Sequence, residues 1–206
     1  MKSENNSKYG NAIATFTVGF QYLNIVENEF SRTVRSGNSH LLVFDYEVDW
    51  EEYDKKTSHS DFKIIIPTLF CLYQAIELIL KGILTLEEIG YSMGKDGHKI
   101  SLLFEKVIQS KTPDKIKEIL SFYLKPKAEI VTFLNDNGAT VDDISEILRY
   151  AFYKKSKKIL NYINLKYREK DIIPYLIEII ENSKNLRKEI VSYARISESP
   201  AIIIDL

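Results

Sequence analysis

The chain has 206 residues, enough for one domain with a sizeable core. Hydrophobic residues make up 45% and charged residues 28%, and the formal net charge is -1, so no global charge draws the chain to nucleic acid or an anionic membrane. One cysteine, Cys71, excludes an internal disulfide framework and fits a reducing cytoplasm.

The opening "MKSENNSKYG" has no apolar core of the kind a signal peptide needs. Within 7–34, Phe16, Phe20, Leu23, Val26, Phe30 and Val34 recur at steps of three and four, which predicts an amphipathic helix. "SGNSH", Ser36 to His40, breaks it with turn formers. In "FDYEVDW", Phe44 to Trp50, apolar and acidic residues alternate, the pattern of a strand with one buried face. Two partners are open to it: a hairpin of "LRYAFY" and "KILNYINLKY" turning across 154–157, or the C-terminal "AIIIDL".

Pro67 is expected in the first turn of a long helix running to about Gly90, where its missing N–H costs nothing. The apolar run within it, 64–86, has membrane-span length, but Pro67, Gln74, Glu77 and Lys81 interrupt it, and charges at mid-span are costly in lipid, so a soluble chain is expected. Cys71, inside the run, reads as a small buried apolar residue. Gly94 and Gly97 flank a loop, and a short helix is expected from His98. "TPDKIKEIL" predicts another, with Thr112 as N-cap, proline next and Asp114 in the first turn. Pro126 should kink or split that helix, "NDNG" should end it, and a last helix should span about Asp171 to Arg195. The fold class is therefore mainly α, a helical bundle with a small β element near 44–50 and 148–167, in a single domain over 1–206.

Glu77 and Lys81 stand one turn apart in the favourable order for a helical ion pair. They either mark a narrow solvent stripe or form a partly buried pair that orders neighbouring loops. His98 can cap its helix through N–H groups or a carboxylate, or help bind a nucleotide phosphate at a helix N-terminus. His59, in "KKTSHSDF", reads as a solvated loop residue.

The stretch "QAIELILKGIL", the loop and "GHKISLLFEKV" after it, and "EILRYAF" further on resemble the HEPN superfamily (higher eukaryotes and prokaryotes nucleotide-binding) over 64–195. Glu77, Lys81, His98, Leu102 and Leu103 match its pattern, and "RYAF" is similar to an "RYP" stretch, with Ala151 where proline is usual. The resemblance implies a helical bundle, a homodimer, and a partner such as a nucleotidyltransferase or an antitoxin in a defence or toxin–antitoxin module. Catalytic members cleave RNA without metal, through an arginine followed four to six residues later by a histidine on a late helix. The last helix here reads "NLRKEIVSYARI", and no histidine follows Arg187 or Arg195. The one spacing match, Arg35 and His40, precedes the Glu/Lys helix instead of following it.

No Walker loop, dinucleotide fingerprint, nucleophile elbow or metal-ligand spacing occurs, so neither metal nor cofactor is expected. Charge is segregated. Asp45, Glu47, Asp49, Glu51, Glu52 and Asp54 form an acidic segment. Arg149, Tyr150, Lys154, Lys155, Lys157 and Lys158 open a basic, aromatic one that continues to Lys170. Three readings fit: basic and aromatic side chains holding RNA or a nucleotide, the two segments pairing with each other, or two solvated faces. The expected function is binding, of RNA or nucleotide or of a protein partner, without the ribonuclease pair. The alternative is a metal-independent endoribonuclease, with His40 or His98 and Arg35 as its candidate residues.

Overall fold

The computed structural model describes residues 2–39, 49–92, 94–125, 127–150, 152–153, 155, 157–166 and 168–197. Eight α-helices appear among them: α1 (Lys2–Arg35), α2 (Trp50–Thr57), α3 (Asp61–Leu86), α4 (Ile100–Ile108), α5 (Asp114–Leu124), α6 (Ala128–Asp136), α7 (Ile144–Arg149) and α8 (Ile173–Ser197). A two-stranded antiparallel hairpin, β1 (Phe152–Tyr153) and β2 (Lys158–Ile159), pairs Phe152 with Ile159 and Tyr153 with Lys158. The fold is mainly α with a small β element, as expected.

α3 is the central helix. Its most extensive partner is α1, it also packs on α4 and α7, and α8 covers α1 and α5. The periodic stripe of α1 is buried from Ala12 through Phe16, Phe20, Leu23 and Val26 to Phe30. On α3, Ile65, Leu69, Leu72, Ile76, Ile79, Leu80 and Ile83 are buried, each worth about 1.5–3 kcal/mol of transfer free energy. A window of 18 residues within the helical stretch 50–86 is apolar enough to cross a bilayer by composition, but α1, α4 and α7 pack on α3 within this bundle. Where α1 and α3 cross, a Cβ on Gly82 would lie 2.4 Å from Phe16 Cε1, so the close approach depends on the missing side chain.

Buried polar groups tie the ends of elements together. Asn38, at φ 55, turns its Oδ1 to the Asp61 N–H at 2.6 Å and serves the first turn of α3 in place of a local cap. Asp61 Oδ2 in turn accepts from the Arg168 N–H at 2.7 Å. The Tyr73 hydroxyl donates to the Tyr123 carbonyl, and the Tyr123 hydroxyl meets the Ile179 carbonyl and Ser183 Oγ, linking α3, α5 and α8.

Several sequence expectations need correction. Positions 44–48 lie outside the described residues, but Asp49 and Trp50 of the expected strand begin α2 instead. The Asp49 carboxylate accepts from the Glu51 and Glu52 N–H groups, and glutamates at the first turn and lysines at the last suit the helix dipole. α3 starts six residues before Pro67 and ends at Leu86, so Pro67 sits inside it. Pro113, not Thr112, is the cap residue of α5, because the Thr112 hydroxyl is engaged by Glu87 at 2.6 Å. His59 is not a free loop residue: its Nδ1 lies 3.2 Å from Glu29 Oε2. Cys71 is half-buried, and burial raises its thiol pKa, keeping it protonated and unreactive. Pro126 and the C-terminal "AIIIDL" lie outside the described residues.

Candidate functional site

α3 carries Glu77 into the protein interior at 5% exposure. Its Oε1 accepts from Lys81 Nζ at 2.7 Å and stands 2.9 Å from His98 Nδ1. His98 does not open a helix. It closes a 3₁₀ turn (Lys95–His98), and α4 begins two residues later. A carboxylate oxygen can only accept, so Nδ1 carries the ring proton and Nε2 is left as the imidazole's free position. The His98 side chain is 67% exposed. Glu77 thus joins a partly buried cation to an open histidine, and the pair orders the loop that follows α3.

This cluster forms one side of an open groove of about 770 Å³, whose other side is the 140–143 turn, α7, Tyr150 and Lys155 of the hairpin turn. The turn is built locally: Asp143 Oδ2 accepts from the Thr140 N–H at 2.9 Å and the Thr140 hydroxyl at 2.8 Å. Asp142 reaches across to α4, taking the Ser101 N–H at 2.8 Å and its hydroxyl at 2.6 Å. Asp142 thereby fills a donor at the N-terminus of α4 that a phosphate beside His98 would otherwise use. Gln74 Nε2 donates to Ser145 Oγ at 3.2 Å, bridging α3 to α7.

The basic groups of the groove differ in what occupies them. Lys155 Nζ is held by Asp143 Oδ1, which raises the lysine's pKa. Burial pushes the Asp143 carboxyl up, but the donors Lys155 and Thr140 outweigh it and hold the group below the usual carboxylate range. Lys99 pairs with Asp96 at 2.7 Å. Arg149 is different. Its guanidinium lies 5.3 Å from the Phe70 ring centroid and 5.8 Å from that of Tyr150, and no described carboxylate pairs with it. Tyr150 is half exposed beside it.

Two sets of residues that the sequence holds apart, Glu77 with His98 and Arg149 with Tyr150 and Lys155, therefore line one groove. Lys157 and Lys158 are exposed on the hairpin and do not line it, and Lys154 lies outside the described residues. The Arg35–His40 spacing cannot be placed as a pair because His40 lies outside the described residues. Arg35 folds back to donate to the Ser31 carbonyl at 3.2 Å. The described members of the acidic segment pair locally, Asp54 with Lys63 at 2.8 Å and Glu52 with Lys56, and not with the basic segment. Sequence reasoning missed the Thr140–Asp143 turn, although a threonine three residues before an aspartate is a legible capping signal. Among the described residues, no three of His, Cys, Asp and Glu converge as a metal ion would require. No family model, curated protein or solved structure matches the chain.

Proposed function

We propose that the chain is a HEPN-like binding protein that holds RNA or a nucleotide in the groove between α3, α4 and α7. The observation that carries the reading is Arg149. It is a cation without a partner among the described carboxylates, fixed over two aromatic rings, one of them a half-exposed tyrosine. A planar guanidinium matches a phosphate bidentately, and an exposed aromatic face stacks a base. The setting, a homodimer working with a nucleotidyltransferase or antitoxin in a defence or toxin–antitoxin module, follows from the sequence resemblance alone.

Fluorescence anisotropy with a short labelled oligoribonucleotide, titrated over a range of salt, tests this reading. Arg149→Ala should weaken binding about tenfold, equivalent to about 1.4 kcal/mol, and flatten the salt dependence. Affinity indifferent to both Arg149→Ala and Tyr150→Ala would remove it.

The Glu77–His98 contact supports a second reading, metal-independent RNA cleavage. With Nδ1 held by Glu77, Nε2 would take the proton from a ribose 2′-OH as its oxygen attacks phosphorus, the bond to the 5′-oxygen breaks and that oxygen takes a proton from solvent, and Arg149 would balance the charge that develops on phosphate. Cleavage in EDTA that His98→Ala abolishes would establish it. RNA left intact at high protein concentration would leave binding alone.

A further inference from the structure

A second groove, of about 540 Å³, runs between α1 and α8. The helices are antiparallel there: Glu27 of α1 meets Arg187 of α8, while the earlier Tyr9 and Ile13 share a cleft with the later Ala194 and Arg195. α8 supplies Lys184, Arg187, Lys188 and Arg195 to the groove, and the facing wall of α1 supplies Gln21 and Asn24. Among the described residues, no carboxylate lines it. Glu27, beside it, offsets Arg187 through a 2.7 Å contact to its Nη2 and interacts more weakly with Lys184. The groove between α3, α4 and α7 is unlike this one, because four acidic residues, Glu77, Asp142, Asp143 and Glu146, line it together with its cations.

We infer that the α1–α8 groove binds the phosphodiester backbone of a nucleic-acid strand. The arrangement of its charges decides between ligands. With a rise of about 1.5 Å per residue, Lys184 to Arg195 extend over about 16 Å along one helix. Cations strung out in a line suit successive phosphates, whereas a single phosphate group requires cations that converge on one point. The amides of Gln21 and Asn24 offer both donors and acceptors to sugar and base edges along the same track. The inference shares only its ligand class with the proposed function, since none of these residues belongs to the other groove.

The test uses the full chain and the same labelled oligoribonucleotide. Lys184→Ala with Lys188→Ala should lower affinity at least tenfold. The slope of log K against log salt should fall by about 1.4, since each phosphate that a lysine neutralises on a single strand adds about 0.7. Lys184→Arg with Lys188→Arg should retain both affinity and slope. On the unmodified protein, bound oligoribonucleotide should shield Lys184 and Lys188 from amine acetylation, a readout that needs no variant to fold. Unchanged slope, or acetylation without shielding, overturns the inference. So does tighter binding of polyglutamate than of the oligoribonucleotide, which would assign the groove to an acidic protein. Arg149→Ala measured in parallel separates the two grooves. Loss of binding there with none from the lysine pair would sustain the first groove and overturn the second, and the reverse result would do the opposite.

Discussion

Glu87, just past the end of α3, collects more partners than any site residue. Its Oε1 accepts from the hydroxyls of Thr112 at 2.6 Å, Tyr193 at 2.6 Å and Ser110 at 3.1 Å, and its Oε2 from the Lys111 N–H at 2.8 Å. Burial raises the carboxyl pKa, but these four donors outweigh it and hold the group below its ordinary 4.5. A carboxylate with a lowered folded-state pKa contributes stability above its unfolded value, and that contribution disappears as pH falls through the folded one. In Glu87→Gln the new NH₂ cannot accept, and with the carbonyl placed at Oε1 it would face the Lys111 N–H. The variant should lose about 2 kcal/mol at pH 7 in urea titrations. The gap from the parent should hold down to about pH 4.5 and close below it. A gap independent of pH would show that the charge on Glu87 has no part in the staple. Glu87 does not stand out in the sequence, and Thr112 reads there as a helix cap instead, because the four donors come from two segments far from Glu87 along the chain.

At the scale of elements, the crossing of α1 and α3 sets two preferences of Gly82 against each other. Alanine is the better helix former by about 1 kcal/mol, but an added Cβ would meet the ring of Phe16, which is itself only 3% exposed. Overpacking of that kind costs about 1–3 kcal/mol, and a buried ring has little room to yield, so packing wins. Gly82→Ala should lower the urea midpoint, and Phe16→Leu added to it should recover part of the loss. A raised midpoint in the single variant would mean that the crossing is looser than the Phe16 ring position implies. α2 teaches a different lesson. Alternation across 44–50 favours a strand, yet Asp49 followed by two glutamates and then two lysines is a complete helix signature, and the cap geometry follows the second pattern. At Asp49 and Trp50, the described end of that run, a period of two does not overrule a capped, dipole-matched first turn. Gly138, at φ 63, ends α6 in the left-handed region with the Ala139 N–H returning to the Leu134 carbonyl, as "NDNG" foretold.

Across the whole molecule, one continuous core runs from Ala12 on α1 to Ala194 on α8, with α3 at its centre. Native-state hydrogen exchange should therefore find the slowest amides on α3 and on the turns of α1 that face it, opening only with global unfolding. The short hairpin, whose second strand is exposed with Ile159 at 83%, should exchange early. Faster exchange in α3 than in α5 or α6 would contradict a single cooperative core. The same core explains which parts of the molecule the sequence could reveal. The long helices α1, α3 and α8, the hairpin turn across 154–157 and the Glu77–Lys81 pair follow from spacing along one chain segment, since helix and strand periods place neighbours at fixed intervals, whereas the start of α2 and the end of α7 read as strand. That Glu77 also receives His98, that Arg149 lies over Phe70 in the same groove, and that α8 turns four cations toward α1 depend on residues brought together from different elements. No local period encodes those meetings. Long-range packing of apolar faces decided them, and each candidate site lies where that packing leaves a gap between helices.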